Sequence, residues 1–332
     1  MGLKAASARA SSPDYFLGID GGGSRTTAWI ADREGAVLAG GEAGPSNPHK
    51  VGLPAAEREL RRAYLRALKS LKTVFGRSRS LVLEAVCAGI SGSDSSAVHD
   101  PLLRWMRRHI PARRHLLTSD AAIALAAALG DAPGIIVIAG TGSIAFARDD
   151  HGRLRRAGGW GVQFDDLGSG FDLGRKAIIA ALQAFDGRGA PTRLTKRICR
   201  TLKLADITAV VAKQLEPQQV AALFPLVTEA AERGDLVARH LCDAAARELA
   251  ELAMALLKRV GWTRRSVPVV CTGGVFASSP LIVRALARQL RRLAPLARIE
   301  MLERHPIEGA LWLARREAEG GRQKAEGSKR LL

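Results

Sequence analysis

A strand, a glycine-rich turn, a second strand, a polar turn and a third strand occur twice in this 332-residue chain, about 120 residues apart. Residues 15–19, 27–31 and 36–40 form the first copy, with Asp32-Arg33-Glu34-Gly35 as its polar turn. Residues 135–139, 144–147 and 154–157 form the second, with Asp149-Asp150-His151-Gly152 as the matching turn. A three-stranded meander cannot bury its apolar face alone. Each copy therefore has to recruit the segments that follow it. Behind the first copy, helical periodicity over 55–75 (Leu60, Tyr64, Leu68, Leu71, Phe75) leads to a strand at 83–88, a helix at 101–109, a strand at 116–118 and a helix at 121–129. Behind the second, the pattern predicts helices over 175–184, 219–232, 236–260, 281–293 and 307–316, and strands at 267–271 and 298–302. The duplication implies two similar α/β domains facing each other.

Composition narrows the class. Hydrophobic residues make up 47% and charged residues 25%, which excludes a disordered chain and a coiled coil. No apolar run approaches the roughly 18 residues of a membrane span. Cys87, Cys199, Cys242 and Cys271 lie far apart without a CxxC pair, which argues against a structural zinc site or a disulfide framework and for free thiols in the cytoplasm. Residues 1–13 lack the apolar core of a signal peptide and read as a disordered tail, as do residues 319–332. The net charge of +18 raises the question of nucleic acid. However, the basic residues are scattered along helices (Arg58, Arg61, Arg62, Arg66, Lys69), and aromatic residues are only 5%, too few for base-stacking platforms. Nucleic acid is therefore not the expected partner. An anionic small molecule such as a nucleotide gains from the same field.

The glycine turns carry the chemistry. Asp20-Gly21-Gly22-Gly23-Ser24-Arg25-Thr26 directly follows a strand, so its backbone N–H groups can approach a phosphate closely, with Ser24 and Thr26 as hydroxyl donors. Asp20, at the strand end, can hold Mg²⁺ mostly through water. The segment lacks the GK[ST] of a Walker A loop, and a strand rather than a helix follows it. Ala139-Gly140-Thr141-Gly142-Ser143 occupies the equivalent place in the second copy, so two donor-rich hairpins can clamp one polyphosphate. Cys271-Thr272-Gly273-Gly274-Val275 is a third glycine turn, between a strand and a helix, where a flat nucleoside can lie against the backbone. Ser278-Ser279-Pro280 beside it already reads as a helix cap.

The ordered set DGGGSRT from Asp20, SDAA from Ser119, AGTGS from Ala139, GGWG from Gly158 and TGGV from Thr272 resembles the N-acetylglucosamine kinase / BadF-type ATPase family. That family belongs to the sugar kinase, heat-shock protein 70 and actin superfamily. The resemblance runs from about Tyr15 to Arg316. It implies two ribonuclease-H-like, actin-like ATPase domains with ATP in the cleft between them, closing on a sugar, usually in a homodimer. On that reading residues 14–130, joined by a returning helix at 306–318, form the first domain and residues 131–305 the second. Pro306-Ile307-Glu308-Gly309-Ala310 matches the signature of the returning helix.

The resemblance also implies site residues. Gly22, Gly23 and Ser24 match the first phosphate motif together with Asp20. Gly140, Thr141 and Gly142 match the second, and Gly273 and Gly274 the adenosine motif. Asn47 matches a sugar-contacting asparagine, Gly159 and Trp160 the sugar pocket, Asp166 a sugar-binding aspartate and Asp120 the catalytic base. The residues themselves leave alternatives open. Asp120 before Ala121-Ala122 is also a good helix cap, Asn47 in Ser-Asn-Pro a turn residue, and Trp160 a candidate for the core. Asp165 and Asp166 could bind hydroxyls, assist a metal or be solvated. Similar kinases carry Glu or Gln where this chain has Leu167, so the sugar (N-acetylglucosamine, glucosamine, N-acetylmuramic acid or glucose) stays open. The expected activity is ATP- and Mg²⁺-dependent phosphorylation of an amino-sugar hydroxyl. The rivals are an ATPase activator of a 2-hydroxyacyl-CoA dehydratase, which needs closely placed cysteines, and a non-catalytic sugar- or nucleic-acid-binding regulator.

Overall fold

The computed structural model describes residues 14–75 and 82–329. The expected disordered tail at 1–13, and residues 330–332 of the other tail, lie outside the described residues. The chain divides into two compact units. One comprises the residues up to Gly130 together with those from Arg304 onward, and the other is Asp131–Glu303.

The first unit opens with strands β1 (Phe16–Gly21), β2 (Thr26–Ala31) and β3 (Val37–Ala43), then the short helix α1 (Pro48–Val51) and the long α2 (Leu53–Phe75). Strand β4 (Ala85–Ile90), helix α3 (Ser96–His109), β5 (His115–Thr118) and α4 (Asp120–Leu129) follow. The sheet order is β3-β2-β1-β4-β5. The first three strands are antiparallel, whereas β4 and β5 run parallel to β1. Alternation along β1 explains the layers. Leu17 and Ile19 face a core shared with Leu60, Tyr64 and Leu71 of α2 and Leu102 and Met106 of α3. Phe16 faces the other way, into a cluster with Cys87, Ile123 of α4 and Ala310, Leu311 and Ala314. The last three belong to the C-terminal helix, Pro306–Lys329, which returns to cover this face. It continues beyond residue 318, where the sequence put the start of a disordered tail.

Close approach of that helix to α4 depends on Gly309. A Cβ there would overlap the carbonyl oxygen of Ile123 and lie 2.5 Å from the amide nitrogen of Ala127. Backbone cannot yield as a side-chain tip does. Gly309→Ala is therefore expected to destabilise the protein by about 3 kcal/mol or more. Gly320→Ala, in the same helix with open space around it, should instead stabilise it by up to about 1 kcal/mol. Urea unfolding of the two variants checks both signs, and a Gly309→Ala protein as stable as wild type would refute the packing argument.

The second unit repeats the plan. Strands β6 (Gly134–Ala139), β7 (Ser143–Arg148) and β8 (Leu154–Gly158) form the meander. Helices α5 (Gly170–Phe185) and α6 (Leu194–Leu202), a 3₁₀ turn at Ile207–Ala212, and helices α7 (Pro217–Ala221), α8 (Phe224–Glu232) and α9 (Leu236–Arg259) follow. Strand β9 (Pro268–Thr272), helices α10 (Gly274–Ser278) and α11 (Pro280–Leu293), and β10 (Arg298–Met301) complete it. The order β10-β9-β6-β7-β8 is that of the first sheet, with β6 and β9 parallel in the place of β1 and β4. Ile135, Val137 and Ala139 of β6 pack with Leu173 and Ala177 of α5 and Leu249 and Ala253 of α9. The single helix expected over 219–232 is two helices. Pro225 has no N–H to donate and sits at the start of α8, so the chain turns between them. Among the described residues no helix is long and apolar enough to cross a membrane.

Candidate functional site

In the first unit the polar residues gather where parallel strands end, the usual ligand edge of such a sheet. Asp20 lies on β1 one residue before its end, Ser91 follows β4, and Asp120 opens α4 two residues after β5. The carbonyl of Gly21 accepts the Ser91 N–H (2.8 Å), which fixes the ends of β1 and β4 together. The glycine turn closes on itself through Gly22 N–H to the Arg25 carbonyl (2.9 Å). The Gly22 carbonyl accepts from the N–H groups of Ser46 (3.0 Å) and Asn47 (3.2 Å). Ser24 is exposed at the tip.

Thr26, expected as a hydroxyl donor to phosphate, is fully buried. Its hydroxyl donates to the Gly44 carbonyl (2.7 Å) and is paired with the Ser46 hydroxyl (2.8 Å). It braces the turn from its buried side.

Asn47 caps α1, its Oδ1 accepting the His49 N–H (2.9 Å), while its Nδ2 donates to the Ser91 hydroxyl (3.3 Å). The Ser91 hydroxyl in turn is hydrogen-bonded to the Asp120 carboxylate. A chain of polar contacts thus runs Asn47–Ser91–Asp120. Ser91 was not singled out from the sequence, although Ser91-Gly92-Ser93 directly after a buried strand is the signal that could have found it. The cap of α4 is Ser119, whose hydroxyl accepts the Ala122 N–H (3.3 Å). Asp120 is thereby relieved of that role, and its Oδ1 accepts the Ala121 N–H at 2.9 Å.

Two carboxylates share this edge. Burial pushes the Asp20 carboxyl up to about 6, with the negative charge of Asp120 adding to the rise and the cations of Arg25 and His305 opposing it. Burial also raises Asp120, against the stabilising hydrogen bonds from Ser91 and Ala121, and Asp94 contributes further repulsion.

In the second unit the glycine turn is held from behind by α5. The Gly140 carbonyl accepts the Gly170 N–H (2.8 Å) and the Thr141 carbonyl the Phe171 N–H (3.2 Å). Asp166 is buried, at a φ of +58°. Its Oδ1 accepts the Ser143 N–H (3.3 Å), and a Cβ on Gly142 would meet its Oδ2 at 2.5 Å. Its carboxylate therefore lies against the second glycine turn. Burial raises its pKa above the usual range, aided by the charge of Asp165. The Ser143 hydroxyl donates to the Leu167 carbonyl (2.7 Å).

The third glycine turn is packed on the same strand end. A Cβ on Gly273, at a φ of +104°, would overlap the Ala139 carbonyl oxygen, while Gly274 is exposed beside it. Ser279 caps α11, accepting the Ile282 N–H, and Pro280 begins that helix. Gly273 is instead the N-cap residue of α10, and Gly274 is the first residue of that helix.

Trp160 is not in the core. It is 70% exposed, between glycines at positive φ (Gly159 and Gly161). Its backbone N–H donates to Asp165 Oδ2 (3.3 Å), and the Arg156 guanidinium carbon lies 4.0 Å from its ring centroid. Leu167 and Phe164 of the same loop are exposed, at 46% and 86%.

Comparison with known proteins gives a consistent result. The chain is 33% identical to the N-acetylmuramic acid/N-acetylglucosamine kinase of Clostridium acetobutylicum, over 92% of this chain and 99% of that one. It is 28% identical to the N-acetyl-D-glucosamine kinase of Dictyostelium discoideum, over 91% and 98%. Among solved structures, a proposed N-acetylglucosamine kinase from Chromobacterium violaceum superposes with a TM-score of 0.73 at 28% identity, covering 90% of this chain and 98% of that one. The family model described as the BadF/BadG/BcrA/BcrD ATPase family matches residues 17–314. With nearly the whole chain matched and the doubled sheet order in place, the protein belongs to the BadF/BadG/BcrA/BcrD ATPase family.

Proposed function

We propose that this protein is an ATP-dependent kinase that phosphorylates a hydroxyl of an amino sugar. The observation that carries the reading is the grouping of Asp20, Ser91 and Asp120 at the ends of β1, β4 and β5, with Asn47 joined to Asp120 through Ser91. Such an edge offers a carboxylate for an acceptor hydroxyl beside a glycine turn suited to phosphate. The names of the relatives favour an amino sugar as the acceptor.

In this reading the backbone N–H groups of Gly22, Gly23, Gly140, Thr141 and Gly142, with the Ser24 hydroxyl, bind the phosphates of one ATP, and Gly273 and Gly274 receive the adenosine. Asn47, Gly159, Trp160 and Asp166 hold the sugar, and Asp166 also braces the second turn through the Ser143 N–H. The sugar oxygen forms a bond to the γ-phosphorus, the bond from that phosphorus to the β-bridging oxygen breaks, and the hydroxyl proton passes to the Asp120 carboxylate. Phosphoryl transfer asks mainly for positioning and charge stabilisation, so one aligned carboxylate suffices. Mg²⁺ fits the donor set. The charge of Asp120 raises the proton affinity of Asp20, and Mg²⁺ is commonly held by one or two carboxylates plus substrate phosphates. Asp20 would hold it, and the ion would neutralise phosphate charge. The enzyme is read as a cytoplasmic homodimer.

The cysteines favour the kinase over the dehydratase activator. Cys87, Cys242 and Cys271 are buried, and burial pushes the thiols of Cys242 and Cys271 up to about 12. Such thiols are poor cluster ligands. The test is ADP release across N-acetylglucosamine, glucosamine, N-acetylmuramic acid and glucose, with a no-sugar control. Sugar-dependent ADP is expected with at least one amino sugar. Equal ADP in every well would make the protein an ATPase and refute the kinase reading.

A further inference from the structure

The side of the Trp160 platform holds a cation that the reaction above does not use. Arg156 is on β8, an edge strand of the second sheet. Its guanidinium stacks 4.0 Å from the Trp160 ring centroid. Its backbone carbonyl is held by the Arg259 guanidinium (2.7 Å). Neighbouring Arg153 and Arg155 both pair with Asp149, but among the described residues no carboxylate lies within ion-pair distance of Arg156. Asp165, five residues after Trp160, accepts the Trp160 backbone N–H on Oδ2 (3.3 Å). A guanidinium stacked on an indole is fixed by one face, and its N–H donors in the plane stay available for a planar anion. A carboxylate matches that fork. The exposed apolar groups of Phe164 and Leu167 belong to the same loop, and the net charge of +18 favours an anionic ligand over a neutral one.

We infer that Arg156 is a specificity residue that binds the carboxylate of an acidic amino sugar, one bearing a lactyl ether or similar acid arm on an N-acetylhexosamine. This rests on the kinase reading and on Trp160 receiving the sugar. Leu167, exposed in the same loop, then suits the methyl group of such an arm.

The experiment uses the full-length protein and measures kcat/KM for N-acetylmuramic acid and for N-acetylglucosamine by ADP release. Arg156→Gln is expected to lower the value for N-acetylmuramic acid about 10- to 100-fold, chiefly through KM, as the loss of a charge-assisted contact requires. The value for N-acetylglucosamine should stay within about threefold. Arg156→Lys should recover part of the loss. The uncharged amide of N-acetylmuramic acid should be used equally well by wild type and Arg156→Gln. Wild type that phosphorylates N-acetylglucosamine but not N-acetylmuramic acid would overturn the inference and leave the kinase reading standing. An equal fall on both sugars would also overturn it, since Arg156 would then only support Trp160. Absence of sugar-dependent ADP with any sugar is the separate failure that belongs to the kinase reading.

Discussion

Asp120→Asn should lower kcat by at least about 100-fold, the usual size of a lost general base, while a non-hydrolysable ATP analogue still binds within about threefold of wild type. The separation follows from the position of the side chain. Ser119, not Asp120, caps α4, so the amide does not remove the helix cap. Its carbonyl can still accept the Ala121 N–H that Oδ1 accepts now. What the amide loses is the ability to take a proton from a hydroxyl. Burial raises the Asp120 pKa, so the acid limb of wild-type kcat/KM should lie above the ordinary carboxylate range. Wild-type turnover in Asp120→Asn, checked by single-turnover kinetics, would remove Asp120 from the reaction.

Asp20→Asn carries the second large effect, and it acts in opposite directions on activity and stability. Without the carboxylate, Mg²⁺-dependent turnover should fall about 100-fold or more. The ligand-free protein, however, should become more stable at neutral pH. The Asp20 carboxyl is raised from 3.8 to about 6 in the folded state, so between those values the native protein binds more protons than the unfolded chain. Stability therefore falls as pH rises through that window and remains lowered above about 6. The penalty that asparagine removes is up to about 3 kcal/mol. Thermal unfolding of the metal-free proteins at pH 4.5 and 7.5 checks the sign: Asn should raise the melting temperature at pH 7.5 and change it little at pH 4.5. A lower melting temperature at pH 7.5 would mean that Asp20 is held by favourable contacts and is not strained by burial and repulsion.

The repeat made most of the fold legible. Meander strands alternate apolar and polar residues, and the glycine turns mark their ends, so both sheets follow from local pattern. What local pattern cannot contain is how helices meet. The break at Pro225 was visible as a proline but was overridden by the apolar periodicity on both sides of it, and the 3₁₀ turn at Ile207–Ala212 and helix α6 lack a long periodic run. The C-terminal helix continues through the glycine- and charge-rich stretch from Glu319 to Lys329, where composition had pointed to a loose tail.

At the site, the residues with a special backbone or an exposed position were readable. Gly273, Trp160 and Asp120 stand where a strand end, a glycine pair or a helix start puts them. The misreading is of side-chain direction. Thr26 has the right chemistry for a ligand, yet it is turned to Gly44 and Ser46. A hydroxyl or carboxylate beside a glycine turn can face out to a phosphate or in to hold the turn, and sequence does not distinguish the two. Ser91 became visible only once β4 was set beside β1, because its partners Asn47 and Asp120 are 44 and 29 residues away in sequence.

A crystal structure with a non-hydrolysable ATP analogue, Mg²⁺ and an amino sugar addresses the central claim most directly. The expected result is one triphosphate within hydrogen-bond distance of backbone N–H groups from both Gly22–Ser24 and Gly140–Gly142, with a sugar hydroxyl on the Asp120 carboxylate. Phosphates touching neither turn or only one of them, or a sugar bound away from Asp120, would contradict it.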